Sequence, residues 1–191
     1  MAIVVSAAAY LACFAGLGLV AMWHARRRGD ELRIALLLGC GGLGLVTALM
    51  DPMHAPIFAC VAICAATDSS SGYIYNIVLA IGGGIVGAEA IFVGPIDAMF
   101  GAATASGVSL LLYALTHGRG LGLGDVKLFG VIGAALGVRS ALVAFGLSFI
   151  IGSAAVLVLF ALRVGTFSRV IRFAPYIALG TVGAAMLHLE L

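Results

Sequence analysis

The run His117-Gly-Arg-Gly-Leu-Gly-Leu-Gly-Asp-Val-Lys127 opens an apolar segment and sets Asp125 beside four glycines. Only 9% of the residues in this chain are charged, so each carboxylate needs a reason to be where it is. A carboxylate at the edge of a bilayer is costly, and an intramembrane ionisable residue is read as functional by default. Asp125 calls for a partner. Asp68, at the end of another apolar run, is the best candidate.

Composition decides the class around that pair. With 63% hydrophobic residues and a mean hydropathy of +1.23, the chain cannot be a soluble globule, because water would meet unbroken apolar stretches of bilayer length. The expectation is an all-α membrane protein, a polytopic bundle of transmembrane helices. At 191 residues it is one compact bundle, and a net charge of +2 is too small to suggest a nucleic-acid partner.

Reading between the charge clusters gives eight helices, give or take one, at roughly 3–24, 33–50, 54–67, 73–93, 98–116, 125–138, 140–162 and 172–189. The third and sixth fall short of the roughly 20 residues of an upright span, and are expected to be short, extended into their loops or half-buried in the bundle. With the N-terminus outside, Arg26, Arg27, Arg28, Arg33, Arg119, Lys127, Arg163, Arg169 and Arg172 fall on cytoplasmic turns or helix ends, leaving Arg139 outside. That asymmetry satisfies the positive-inside rule and puts Asp68 and Asp125 on the same cytoplasmic face. The first run has no basic segment ahead of it, so it reads as an anchor helix and not a secretory signal. Residues 1–53 form two N-terminal helices with a short basic loop, and 54–191 a six-helix core.

Most other polar residues have plain readings. Cys13, Cys40, Cys60 and Cys64 lie within apolar runs without a Cys-x-x-Cys pair, so they read as small buried hydrophobes and no metal is expected. Asp51, Glu89, Asp97 and Glu190 lie towards the outer face as solvated or snorkelling groups. His54 and His188 fall near the outer face and His24 and His117 near the inner, with His117 alone within reach of the aspartates. Gly130, Gly133, Ala134 and Gly137 form a small-residue stripe that admits another backbone, as do Gly41 with Gly44 and Gly83, Gly84 with Gly87. Gly122 and Gly124 are expected to let the chain turn tightly and a substrate backbone approach. The glycine run from Gly118 lacks the strand–turn–helix context of a phosphate loop.

Gly122-Leu-Gly-Asp125, followed by Val126-Lys127-Leu128, Gly130 and Leu136-Gly137, resembles the GxGD segment of the prepilin peptidases, the aspartyl membrane proteases that mature type IV pilins and pseudopilins. Asp68 followed by Ile74 and Asn76 resembles that family's first catalytic segment, and Phe173-Ala-Pro175 through Gly180 its late Phe-Gly-Pro helix. The likeness covers roughly residues 60–185. It departs from the family at Tyr75, where a proline is usual, and at Ser69, Ser70, Ser71 and Gly72, where basic residues are usual. Many members also carry a cysteine-paired cytoplasmic domain after the first helix, associated with N-methylation. Here that place holds only Arg26-Arg-Arg-Gly-Asp-Glu-Leu-Arg33.

The resemblance implies an aspartic endopeptidase with Asp68 and Asp125 as the catalytic pair and Gly122, Gly124, Lys127, Asn76 and Pro175 in support. It implies no cofactor or metal, prepilin or pseudopilin precursors and the lipid bilayer as partners, and an inner-membrane site facing the cytoplasm. It also implies cleavage without methyl transfer. Two close carboxyls cannot both ionise comfortably, so one polarises the scissile carbonyl while the other takes a proton from water. Asp125 begins a helix beside Lys127 and Asp68 ends one, which favours Asp125 as the base. Lys127 reads equally as an interfacial anchor or as a group tuning Asp125. The alternatives are a transporter or channel with paired carboxylates on a proton path, and a non-catalytic pilus or secretion assembly factor.

Overall fold

The computed structural model describes residues 2–162 and 172–189, and among them every regular element is helical. The helices are α1 (Ala2–Arg28), α2 (Ile34–Met50), α3 (Ala55–Ser71), α4 (Asn76–Val93), α5 (Pro95–Leu115), α6 (Leu123–Ala161) and α7 (Ala174–Leu189). A single 3-10 turn, Pro52–His54, leads into α3. Arg163, Arg169 and Glu190, assigned to faces from the sequence, lie outside the described residues, as does the side chain of His188.

Segments within α1, α5 and α6 are long and apolar enough to cross a membrane: Ala7–Arg28, Pro95–Leu115 and Leu123–Ala161. Their outward faces carry Leu110, Leu111, Ile150 and Leu157, each at least half exposed. Such faces suit lipid and would be a liability in water. The protein is a helical membrane protein.

α3 is the axis of the bundle. Fourteen consecutive residues, Ala55 to Asp68, are buried, and the helix touches α1, α2, α4, α6 and α7. Its run of Ala, Ile, Val, Phe and Cys is apolar all round, the pattern of a helix enclosed on every side. Pro56 suits its first turn, where an absent N–H costs nothing. Gly72 ends it in the left-handed region (φ 76°) and donates its N–H to the Asp68 carbonyl at 2.8 Å. The third helix is thus interior, and at 17 residues it runs past its expected end at residue 67.

The described residues form seven α-helices, one fewer than eight and within the expected range. The segments expected at 125–138 and 140–162 are joined in α6, whose arms meet at Gly137. Gly137 has φ 74° and ψ 177°, a combination essentially confined to glycine. Contacts on either side show the chain doubling back. Gly124 packs on Ile74 at the Asp68 end, Gly137 borders a cavity with His54 and Gly94 at the other end, and Gly152 packs on Phe173. Phe173 precedes Ala174, which bonds to Asp68.

The glycine stripes do different work from one another. Gly133 lies so close to Gly101 of α5 that a Cβ on either would run into the other's backbone, so the small-residue stripe of α6 seats it on α5 and not on the Asp68 helix. Gly44 makes room for the Tyr10 hydroxyl and Gly41 for the Phe14 ring, whereas Gly84 and Gly87 face open space. Gly101→Ala is therefore expected to destabilise the bundle by about 1–3 kcal/mol through overpacking. Gly84→Ala should be neutral or slightly stabilising, since alanine gains up to about 1 kcal/mol in a helix. Thermal unfolding in detergent compares them; equal stability of the two variants would refute the close-approach reading.

Candidate active site

Asp68 and Asp125 come from opposite kinds of helix end. Asp68 lies in the last turn of α3 and Asp125 in the first turn of α6, and both are more than nine-tenths buried. Gly122, the residue before α6, donates its N–H to Oδ2 of Asp125 at 3.0 Å. This is half of a capping box, since glycine offers no side chain in return. Its backbone is extended (φ −86°), so it is needed here for space, a Cβ lying 3.2 Å from Asp125 Oδ2. Gly124 is also a packing glycine, since a Cβ there would meet Ile74 at 3.2 Å. The tight turn expected of this pair lies earlier, where His117 (φ 50°) and Gly118 (φ 73°) adopt left-handed backbone.

Asp68 is held from the far end of the sequence. Its Oδ2 accepts the N–H of Ala174, the first residue of α7, at 3.2 Å. The start of α7 explains why that donor is free. Tyr176 and Ile177 donate to the Phe173 carbonyl, and Pro175 has no N–H, so Ala174 supplies the one first-turn donor left for Asp68. Phe173 itself is fixed in an aromatic row, 4.8 Å from Phe149, which stands 4.8 Å from Phe145, in turn 5.0 Å from Phe129. Both carboxylates thus accept a backbone N–H at a helix N-terminus. Asp68 still ends α3, but the start of α7 faces it as the start of α6 faces Asp125.

The two segments meet: Gly124, next to Asp125, packs on Ile74, and Lys127 bonds Asn76, both in the stretch that follows Asp68. Each aspartate uses Oδ2 for its backbone anchor, and among the described residues Oδ1 of each accepts no hydrogen bond. Arg172 sends its guanidinium to the Ser69 carbonyl and makes no ion pair with Asp68 among the described residues. No group of three potential metal-ligating side chains occurs among them either.

The model of the type IV leader peptidase family matches residues 55–157, more than half of the chain, and the match contains both aspartates. The chain belongs to the type IV leader peptidase family. Comparison with curated proteins and with solved structures returns no match. The Phe173–Gly180 block falls beyond the family match, although Ala174 within it anchors Asp68.

In this leader peptidase family member, the remaining sequence candidates tie the loops together. Lys127 donates through Nζ to Asn76 Oδ1 at 2.9 Å, joining the starts of α6 and α4, so its one described hydrogen bond is to Asn76 and not to Asp125. Pro175 lines an apolar cleft beside α3. His117 is exposed and makes no described bond to either aspartate.

The sequence reading missed a clamp on the segment after Asp68. Tyr75, 2% exposed, donates to Asp30 Oδ2 at 3.0 Å and meets His24 edge-on at 4.9 Å. The Arg33 N–H donates to Ser70 Oγ at 3.3 Å. Burial pushes the Tyr75 phenol up, which keeps it a donor. No local signal marks a pair 45 residues apart; the one clue was a large aromatic where the family has proline. Tyr75→Phe and Asp30→Asn should each cost about 1 kcal/mol, and the double variant little more than either alone. Unfolding midpoints of the three variants test this; additive losses would mean that the bond does not couple the loops.

Proposed function

We propose that this protein is an aspartic endopeptidase that removes the short leader from type IV prepilins or pseudopilins at the cytoplasmic face of the inner membrane. The observation that carries the reading is the pair of buried carboxylates, each fixed through one oxygen by a backbone N–H and each with its other oxygen open. One carboxyl holds the proton and delivers it to the scissile carbonyl oxygen, while its partner takes a proton from the attacking water. The tetrahedral intermediate collapses as a proton passes to the leaving amine. With anchors so alike, the two carboxyls are best treated as one titrating unit sharing a proton.

Sidedness is supported by the way the loops meet. Arg33 with Ser70, Asp30 with Tyr75, Asn76 with Lys127 and Ser69 with Arg172 all join at the end of the bundle that holds the aspartates. Arg139 stands at the other end, lining a cavity with His54 and Asp97. Basic residues therefore collect at the aspartate end, as a cytoplasmic face requires. Trp23, with the Arg27 guanidinium 3.9 Å above its ring, fits an interfacial anchor there.

The substrate is a precursor whose leader lies in the cytoplasm and whose apolar helix lies in the bilayer. Residues 29–33 alone join α1 to α2, so this connection has no room for the cysteine-paired methylation domain, and we read the chain as a peptidase without methyl transfer. Asp68→Asn or Asp125→Asn should lower cleavage of a precursor in membranes by about 10²–10⁴-fold or more, with insertion intact. Mass spectrometry of the wild-type product, with a methyl donor present, should find a trimmed and unmethylated chain. Near-normal processing by either variant would sink the aspartic mechanism, and a methylated product the single activity. Cysteines introduced at Ser70 and Arg119 should label from the cytoplasmic side; labelling from opposite sides would rule out a common face.

A further inference from the structure

Both candidate carboxylates are buried, so a substrate needs a way in, and one flank of the bundle offers it. On the α4–α5 side the way is shut: Gly124 packs on Ile74, Gly101 on Gly133 and Val131 lies 3.2 Å from where a Gly83 Cβ would be. Between α2, α3 and α7 lies an apolar cleft of about 220 Å³. Its lining includes Gly39, Leu43, Ala62, Ala65, Pro175 and Leu179.

We propose that this cleft seats the apolar helix of the substrate and leads its scissile end to Asp68, a proposal that rests on the peptidase reading above. The cleft is continuous with the candidate site at two points. Ala65 is three residues before Asp68 on the same helix, about 5 Å along the axis. Pro175 follows Ala174, whose N–H holds Asp68. On α3 the lining runs from Phe58 to Ala65, about 10 Å or two turns, so the cleft descends from the site towards mid-bilayer. Its volume suits the side chains on one face of an entering helix, and its glycines and alanines allow that helix to come close. Leu43 and Leu179, 37% and 40% exposed, form rims that open towards lipid.

The test uses the full chain carrying Asp125→Asn, so that the precursor stays uncut. A photoreactive residue is placed at Leu43, at Leu179 or, as the control, at Leu110 on the exposed face of α5. Irradiation in membranes should join the two rim positions to the first turns of the precursor's apolar helix and leave Leu110 unjoined. Adducts from Leu110 as abundant as those from the rims, or rim adducts only to lipid or to a second copy of this chain, would overturn the proposal. A Gly39→Leu variant adds bulk to the cleft lining at a position where a Cβ meets nothing within 4 Å. It should raise KM for the precursor about tenfold, equivalent to ~1.4 kcal/mol of lost seating, with kcat little changed. An unchanged KM, with a wild-type enzyme that cuts normally, would overturn the cleft alone; a wild-type chain that leaves the precursor uncut would overturn the peptidase reading and the cleft with it.

Discussion

The hydrogen bond from Ala174 to Asp68 spans 106 residues, and the rest of the site is arranged around the need for it. A carboxylate at the end of a wholly buried helix has left water behind and must be compensated by the protein. A hydrogen bond to a charged group contributes about 1.5–3 kcal/mol, and removing it would leave the carboxyl buried without that partner. A backbone N–H supplies the bond without adding a formal charge. A guanidinium in the same place would hold Asp68 more firmly as an anion. Arg172 is near enough for its charge to favour the Asp68 anion, although its described hydrogen bond goes to the Ser69 carbonyl.

What the sequence made legible was the chemistry that local rules govern. Charge is so sparse here that Asp68 and Asp125 stand out, and the basic residues sort the two ends of the bundle by position alone. Hydropathy found the apolar segments, since each is bounded by polar residues. What stayed hidden depends on contacts between distant segments. Nothing near Tyr75 announces Asp30, nothing near Lys127 announces Asn76, and the identity of Ala174 is irrelevant because only its N–H is used. Spacing showed that the glycines of α6 could receive a backbone, but not that the backbone would be Gly101 of α5.

The end of the bundle away from the aspartates shows the same limit. Asp51, Glu89 and Asp97 read as scattered interfacial charges, yet Asp51 pairs with His54 at 2.7 Å and Glu89 and Asp97 line a cavity of about 370 Å³ with Arg139. Solvation and pairing leave the same trace in a sequence. The contrast between the two ends is instructive. At the aspartate end the loops are bonded to one another and the carboxylates are largely buried, while at the other end the charged groups surround open space.

Gly137 links the helix count to the chemistry. At 1.5 Å per residue, a straight α6 of 39 residues would run to ~58 Å, about twice the hydrocarbon thickness of a bilayer. Its end would then lie far beyond the bundle, and α7 could not begin beside Asp68. The reversal at Gly137 converts one overlong helix into an outgoing and a returning arm, so that Asp125 at its start and Phe149 on the returning arm, which packs on Phe173, reach the same level. Only then does the first N–H of α7 meet the Asp68 carboxyl. A residue with a Cβ would resist φ 74° with ψ 177°, so the glycine that looked like one more packing residue in the sequence is the position on which the alignment of both aspartates depends.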